Sequence, residues 1–332
     1  MKQNIGIFGA TGAVGKELIK VLFDRKFPIA DLHLYASSRS AGKTMGTPQG
    51  KITLEDADKA DYSKLNIAFF AISGDWSKAN AKKATEAGCT VIDNSSAFRY
   101  DDNVPLVIPH INKTSIGKSK LIANPNCTTA IAALPLYAIY KKYGLKKIIV
   151  STYQAASGAG AEGMQELEEQ TRQYLASKKI EKKIFQHQLA FNVIPHIDVF
   201  QENGYTKEEM KVAWETRKIF ANKNLAISCT SVRIPTMRVH AETIVVETEK
   251  PVKAEDVKKL FLKTEGVVLT DDLGKYVYPM PLTATHKYDV EVGRVRQNLV
   301  FGDRGIEFFV AGDQLLRGAA LNAVEIAEVL LK

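Results

Sequence analysis

An α/β fold in two domains is predicted from three features of the sequence. Short, wholly apolar runs alternate with helical patterns over the first third, the first of these runs ends in a glycine-rich turn, and beyond residue 150 the strands lengthen and alternate. The 332 residues are more than one hydrophobic core ordinarily serves and suit two.

Taken in order, Ile5-Gly6-Ile7-Phe8 reads as a buried strand, and Val14, Leu18, Val21 and Leu22 then recur at helical spacing. Strands are expected at 32–36, 67–72, 90–93 and 120–123. Short apolar strands separated by helices and glycine turns are parallel strands joined by crossovers. A helix is predicted from 128 to about 143, followed by a longer strand over 148–154. The later strands, at 226–233, 243–249, 289–296 and 307–310, alternate as an antiparallel or mixed sheet does. Leu316, Ala320, Ala323, Ala327 and Leu330 form an apolar stripe on a last helix, which is expected to pack back on the first domain. The predicted division is therefore 1–127 with 313–332 against 128–312. The first of these is of Rossmann type and the second an α+β domain around a mixed sheet.

Composition removes several classes. Hydrophobic residues at 45% and charged residues at 25% exclude fibrous and disordered chains. No apolar run approaches the ~20 residues that cross a bilayer. The start imitates a signal peptide, but Gly6, Gly9 and Gly12 interrupt it and it runs into Lys16 and Glu17, so a cytoplasmic chain is expected. Cys89, Cys127 and Cys229 are odd in number and far apart, which argues against a disulfide framework and a metal-type pair. A net charge of +8 suits an anionic partner, yet the positive charge is scattered and its one dense run, 178–183, contains Glu181. Without an aromatic-interleaved basic stripe, anionic small molecules are expected rather than nucleic acid.

Gly9-Ala10-Thr11-Gly12-Ala13-Val14-Gly15 joins the first strand to the first helix. Glycine there permits a tight turn and lets backbone N–H groups approach a pyrophosphate at the positive end of the helix. The three-residue glycine spacing departs from the usual fingerprint, so the placement between strand and helix carries the reading. Gly9, Thr11, Gly12, Ala13 and Val14 are the candidate contacts. At the end of the second strand, Ser37-Ser38-Arg39-Ser40 stands where an NAD site would put a carboxylate, with Lys43 close behind. Hydroxyls and a guanidinium suit a 2′-phosphate, which makes NADP the expected cofactor, held by Ser37, Arg39 and Ser40. The second glycine run, Gly158-Ala159-Gly160-Ala161-Glu162-Gly163, lacks a second nucleotide half behind it. It reads as a flexible turn beside the site, with Ser157 and Gly158 near the cofactor.

Asn124-Pro125-Asn126-Cys127-Thr128-Thr129 lies at a strand-to-helix junction. A thiol at a helix start has its thiolate stabilised by the dipole, and neighbouring N–H groups can hold an oxyanion. By position alone, Cys127 is either a core residue or such a thiol. Cys89 and Cys229, which fall in strands, read as core.

These segments resemble the aspartate-β-semialdehyde dehydrogenase family. The resemblance rests on the cysteine segment, the glycine turn, Val150-Ser151-Thr152-Tyr153-Gln154 and Ser157-Gly158-Ala159-Gly160. It extends to Asp93-Asn94-Ser95-Ser96-Ala97-Phe98-Arg99, Phe191-Asn192-Val193-Ile194-Pro195, Glu208-Glu209-Met210-Lys211, Ser231-Val232-Arg233-Ile234-Pro235 before His240, and Gly318-Ala319-Ala320-Leu321-Asn322-Ala323. It implies NADP-dependent, phosphorylating interconversion of aspartate-4-semialdehyde and 4-aspartyl phosphate, in the biosynthesis of lysine, threonine and methionine. It further implies Cys127 as nucleophile, His240 as acid/base and Gln154 as the group orienting substrate near the thiol. Arg233 would clamp the α-carboxylate, Glu208 would meet the α-amino group, and Arg99, Lys211 and Asn126 would hold phosphate. Ser73 and Gln314 join the implied cofactor contacts, and a homodimer through the second domain's sheet is implied. A metal is not. His110 stands where the family pattern leads us to expect an acidic residue, and Gln314 where asparagine is more common.

Two points of spacing bear on these roles. Glu208 and Lys211, three apart on a helix, share a face. Arg233 and His240 are seven apart and would oppose each other on one straight strand, but Pro235 breaks that strand. His33, His187, His196 and His286 are read as structural. N-acetyl-glutamyl-phosphate reductase is the nearest rival, and it should lack Glu208, because an acetylated amine carries no charge. Glyceraldehyde-3-phosphate dehydrogenase shares only the Cys-Thr-Thr turn. A catalytically dead NADP-binding paralogue would have lost the cysteine or the histidine, and both are present.

Overall fold

The computed structural model describes residues 1–331 and separates into two compact units, Met1–Asn126 together with the chain from Ala319, and Cys127–Gly318. In the first unit, β1 (Gln3–Phe8), α1 (Ala13–Asp24) and β2 (Ile29–Ala36) open the chain, followed by β3 (Thr44–Thr47) and β4 (Gly50–Asp56). Then come β5 (Ile67–Phe70), α2 (Gly74–Glu86), β6 (Thr90–Asp93), α3 (Pro109–Asn112) and β7 (Leu121–Ala123). The seven strands lie in the order β3-β4-β2-β1-β5-β6-β7. All neighbours are parallel except the β3–β4 pair. Every residue of β5 and β6 is buried, as befits parallel strands covered on both faces. The expected strands are present, with ends that coincide, as both do in β6, or shift by up to three residues.

The β3–β4 hairpin was not expected from the sequence. It is an edge hairpin with few buried side chains, so its apolar signal is thin. No helix is found between β2 and β4 among the described residues, and short 3₁₀ turns over Ala57–Lys59 and Tyr62–Lys64 lead to β5. The crossover rule therefore holds only for part of this sheet.

In the second unit, α4 (Cys127–Tyr143), β8 (Lys147–Gln154), α5 (Gly160–Leu175) and α6 (Lys207–Ile219) precede β9 (Ala226–Arg233) and β10 (His240–Glu247). α7 (Ala254–Phe261), β11 (Val267–Leu269), α8 (Pro281–Ala284), β12 (Val290–Gln297) and β13 (Gly305–Gly312) complete it. The six strands run β11-β12-β13-β10-β8-β9. The sheet is mixed, with β8–β9 and β11–β12 parallel and the other pairs antiparallel. Helices α4, α6 and α7 cover one face. The other carries Ile149, 45% exposed, and a stacked pair of half-buried rings, Tyr153 and Phe309.

The glycine run at 158–163 is a 3₁₀ turn that continues into the 16 residues of α5, so it is a helix start rather than a flexible turn. The chain returns to the first unit through a π-helical turn over Leu316–Ala320 and then α9 (Leu321–Val329). There α9 packs on α1, α3 and β6. Residues 321–327 are buried on all sides rather than along one stripe, which their small side chains permit. No helix among the described residues is long and apolar enough to cross a membrane.

Candidate active site

The glycine turn sits at the carboxyl end of β1, between β2 and β5, where the order of a parallel sheet reverses and a crevice opens. Gly9 has φ +84°, and a Cβ there would lie 2.2 Å from the Ala71 carbonyl oxygen. A Cβ on Gly15 would lie 2.2 Å from the Gly9 oxygen, so strand, turn and helix meet backbone to backbone. Gly12 caps α1 in extended conformation without a side-chain cap bond, and the first turn holds no acidic residue. That leaves a helix start suited to phosphate oxygens. Thr11, Gly12, Ser37 and Arg39 are exposed, while Ala13, Val14 and Ser40 are half-buried. Ser73, three residues beyond β5, caps α2 by accepting the Trp76 N–H at 3.4 Å. Ser157, Gly158 and Gln314, expected with this group, belong to the second unit.

Within the second unit, Gln154 closes β8 opposite Arg233, which closes β9, and His240 opens β10 beside them. The turn through Pro235 reverses the chain, so the two residues seven apart converge. A Cβ on Gly158 would lie 2.6 Å from Arg233 Nη1 and 3.2 Å from both His240 Cε1 and Nε2. Gly158 thus faces the guanidinium and the imidazole, a setting its expected cofactor contact did not anticipate.

A chain of hydrogen bonds fixes the surrounding groups. The Ala155 N–H donates to His240 Nδ1 at 3.1 Å, and Arg233 Nη1 donates to the Ala155 oxygen at 2.6 Å. Thr152 Oγ1 donates to Gln154 Oε1 at 3.0 Å, and Gln154 Nε2 donates to Glu208 Oε1 at 3.2 Å. Lys211 Nζ donates to Glu208 Oε2 at 2.9 Å and to Asp198 Oδ2 at 2.7 Å. Glu208 stands in the first turn of α6, which a Thr206/Glu209 capping box holds. The Glu208–Lys211 pair is therefore not a solvated surface pair.

Burial dominates the electrostatics. His240 is wholly enclosed, and burial together with Arg233 lowers its pKa to about 3, against opposing pulls from Glu208 and the Val239 backbone. The Arg233 guanidinium is pulled down by burial, with Glu208 and Cys127 acting the other way. For Lys211 burial also pulls down, but Glu208 and Asp198 together outweigh it and leave the ammonium raised.

Cys127 is the first residue of α4 and is half-buried. Cys89 and Cys229 are enclosed, and burial pushes the Cys89 thiol up to about 12 and that of Cys229 higher still. Those two are core residues, as their strand positions imply. Arg99 and Asn126 belong to the first unit and Lys211 to the second. Arg99 is buried, with Nε donating to the Asn124 oxygen at 2.8 Å and Nη2 to the Asn94 oxygen at 2.7 Å. Gln314 is buried and both ends of its carboxamide meet protein groups: Oε1 accepts the Val239 N–H at 2.7 Å, and Nε2 donates to Ser157 Oγ. His110 lies 3.2 Å from Glu325.

Thr152, Ala155 and Asp198 were missed in the sequence. Thr152 could have been found, since it shares the face of β8 with Gln154 two residues on. Asp198 sits in irregular chain at φ +70°, where spacing gives no signal.

Comparison with known proteins agrees along the whole chain. Residues 4–119 match the semialdehyde dehydrogenase NAD-binding domain, and residues 136–317 the semialdehyde dehydrogenase dimerisation domain. An aspartate-semialdehyde dehydrogenase of Aquifex aeolicus is 44% identical, over 100% of this chain and 99% of its own. One of Bacillus subtilis is 44% identical, over 99% and 97%. The crystal structure of aspartate semialdehyde dehydrogenase II of Vibrio cholerae, complexed with ASA, superposes with a TM-score of 0.97 at 42% identity, covering 100% of this chain and 98% of that one.

Proposed function

The chain belongs to the aspartate-semialdehyde dehydrogenase family of phosphorylating oxidoreductases, and on that premise we propose that it interconverts aspartate-4-semialdehyde and 4-aspartyl phosphate with NADP, through a thioester on Cys127. The observation carrying this reading is the meeting of Arg233 and His240 across Gly158, beside the bonded series Gln154, Glu208, Lys211. A substrate bearing a carboxylate, an ammonium and a phosphate needs such a mixture of fixed charges. An acyl phosphate with an acetylated amine would bring no ammonium of its own to Glu208, which already meets Lys211.

In the reductive direction, the Cys127 thiolate attacks the acyl carbon, the carbonyl oxygen takes up the charge, and its collapse expels phosphate and leaves a thioester. Arg233 clamps the α-carboxylate, Glu208 meets the α-ammonium, and Gln154 orients the acyl group. Arg99, Asn126 and Lys211 serve the phosphate. The bound dinucleotide supplies the hydride that reduces the thioester.

His240 serves the oxygen of the resulting adduct. Its Nδ1 accepts the Ala155 N–H, so the neutral ring carries its proton on Nε2, and burial keeps the ring neutral. Nε2–H then donates to the oxyanion, which collapses to aldehyde and releases the thiolate without a proton being stored on the ring. The acid/base role expected from the sequence thereby narrows to that of a donor.

The cofactor reading rests on the close-packed turn at Gly9 and Gly15, the uncapped start of α1, and the Ser37, Arg39 and Ser40 cluster in place of a carboxylate. Ile149 with the Tyr153–Phe309 rings, in a region matching a dimerisation domain, supports a homodimer through that sheet face. The reading places the enzyme in the cytoplasm, running reductively toward lysine, threonine and methionine. Its test is phosphate-dependent formation of NADPH from aspartate semialdehyde. Cys127→Ala should abolish it, and surviving turnover removes Cys127 from the nucleophile's role.

A further inference from the structure

Val239 immediately precedes His240, is fully buried, and holds φ +76°. A β-branched residue seldom takes that left-handed conformation, and it persists only where neighbours impose it. Here two consecutive residues beyond β13 grip two consecutive residues of the turn. Arg238 Nε donates to Asp313 Oδ2 at 2.6 Å, and the Val239 N–H donates to Gln314 Oε1 at 2.7 Å. Asp313 is itself enclosed and also accepts the His286 N–H at 2.8 Å and the Leu315 N–H at 3.1 Å. The other end of the Gln314 carboxamide donates to Ser157 Oγ, next to the glycine that faces His240.

We propose that Gln314 is a positioning residue for His240, whose carboxamide spans Val239 and Ser157 and so holds the left-handed turn that aims the imidazole. The proposal rests on the reading that His240 acts on the adduct. It also gives the glutamine a reason to differ from asparagine, whose side chain is shorter by one methylene, about 1.5 Å, and cannot span the same two partners. Asp313 secures the preceding residue, so the grip does not depend on one bond alone.

The test compares Gln314→Met, of equal length without the bonds, Gln314→Asn, and each combined with Val239→Gly. Glycine adopts φ near +76° without strain and needs no grip. Gln314→Met should lower kcat about 10- to 50-fold, with KM for the semialdehyde within about twofold and any loss of NADP affinity smaller than the loss in kcat. Adding Val239→Gly should recover at least fivefold of that loss, a coupling that a general packing defect would not show. Histidine-selective ¹⁵N NMR should find His240 as one Nε2–H tautomer in the native enzyme, mixed or broadened in Gln314→Met, and restored in the double variant. Gln314→Asn should fall between native and Met, and it keeps the test alive if the Met variant does not fold. A His240 signal unmoved in every Gln314 variant overturns the proposal, as does a loss confined to NADP affinity or a kcat loss that Val239→Gly leaves untouched. If His240→Asn keeps full rate while the His240 signal still answers to Gln314, the role of His240 falls and the positioning stands.

Discussion

Gly318 lies directly against Cys127: a Cβ added at 318 would come within 2.7 Å of the cysteine Cβ and 2.9 Å of its Cα. The backbone of Cys127, the proposed nucleophile, therefore rests on a residue that has no side chain. Because the nearest atoms include the Cα of a helix start, the contact cannot be relieved by a rotamer change. Gly318→Ala should displace the start of α4, destabilise the fold by about 1–3 kcal/mol and slow alkylation of Cys127. Iodoacetamide labelling followed by peptide mapping, beside thermal melts, checks both. Unchanged labelling would mean that the start of α4 tolerates the displacement.

His240→Asn should retain labelling of Cys127 and lose about 10²–10³ in kcat, within the range such groups contribute. The lowered histidine also carries a sign for stability. In the folded protein the ring stays neutral down to about pH 3, whereas the unfolded chain takes up its proton near 6.5. The unfolded state thus binds more protons between those values, so the contribution of His240 is present above about 6.5 and is lost as pH falls toward 3. His240→Asn should flatten the dependence of Tm on pH across that window. An equal slope in both proteins would count against the buried neutral ring.

Much of this arrangement was legible in the sequence, and the reasons are local. Cys127 at a strand-to-helix junction, the Gly9–Gly15 turn and the Glu208–Lys211 pair each announce themselves within a few residues. The meeting of Arg233 with His240 does not, because it depends on a turn through Pro235 and on the register that puts Gln154 opposite Arg233. The shallow β3–β4 hairpin was missed because an edge hairpin buries little, and α5 because its glycine-rich start reads as a loop. Asp198 and the Gln314–Val239 bond join residues 13 and 75 positions from their partners, beyond any local pattern.

Glu242, two residues beyond His240 on β10, is wholly enclosed, and neither carboxyl oxygen meets a hydrogen-bond partner among the described residues. Burial raises its pKa well above that of a free carboxylate. The folded protein keeps the proton that the unfolded chain loses near pH 4.3, so this group's contribution is full below that value and is lost as pH rises through the folded pKa. Each pH unit of the gap costs about 1.4 kcal/mol. Glu242→Gln should therefore raise Tm at neutral pH and weaken its decline with rising pH, as calorimetry across that range would reveal. A lower Tm at neutral pH would show the carboxylate charged and paired.

Arg39→Ala should weaken NADP about tenfold, roughly 1.4 kcal/mol, and leave NAD nearly unchanged, because only the 2′-phosphate needs the guanidinium. Titration of both dinucleotides by fluorescence or calorimetry decides the matter. Equal weakening of the two would transfer phosphate recognition away from the Ser37–Ser40 turn.

The most direct test of the account is to trap the covalent intermediate. Incubating the enzyme with aspartate semialdehyde and NADP while withholding phosphate should leave an acyl group on sulfur, found by peptide mass spectrometry on the Cys127 peptide and released by phosphate or hydroxylamine. A single turnover of NADPH per site should accompany it. Acylation of Cys89 or Cys229, or full phosphate-dependent turnover with no thioester at Cys127, would contradict it.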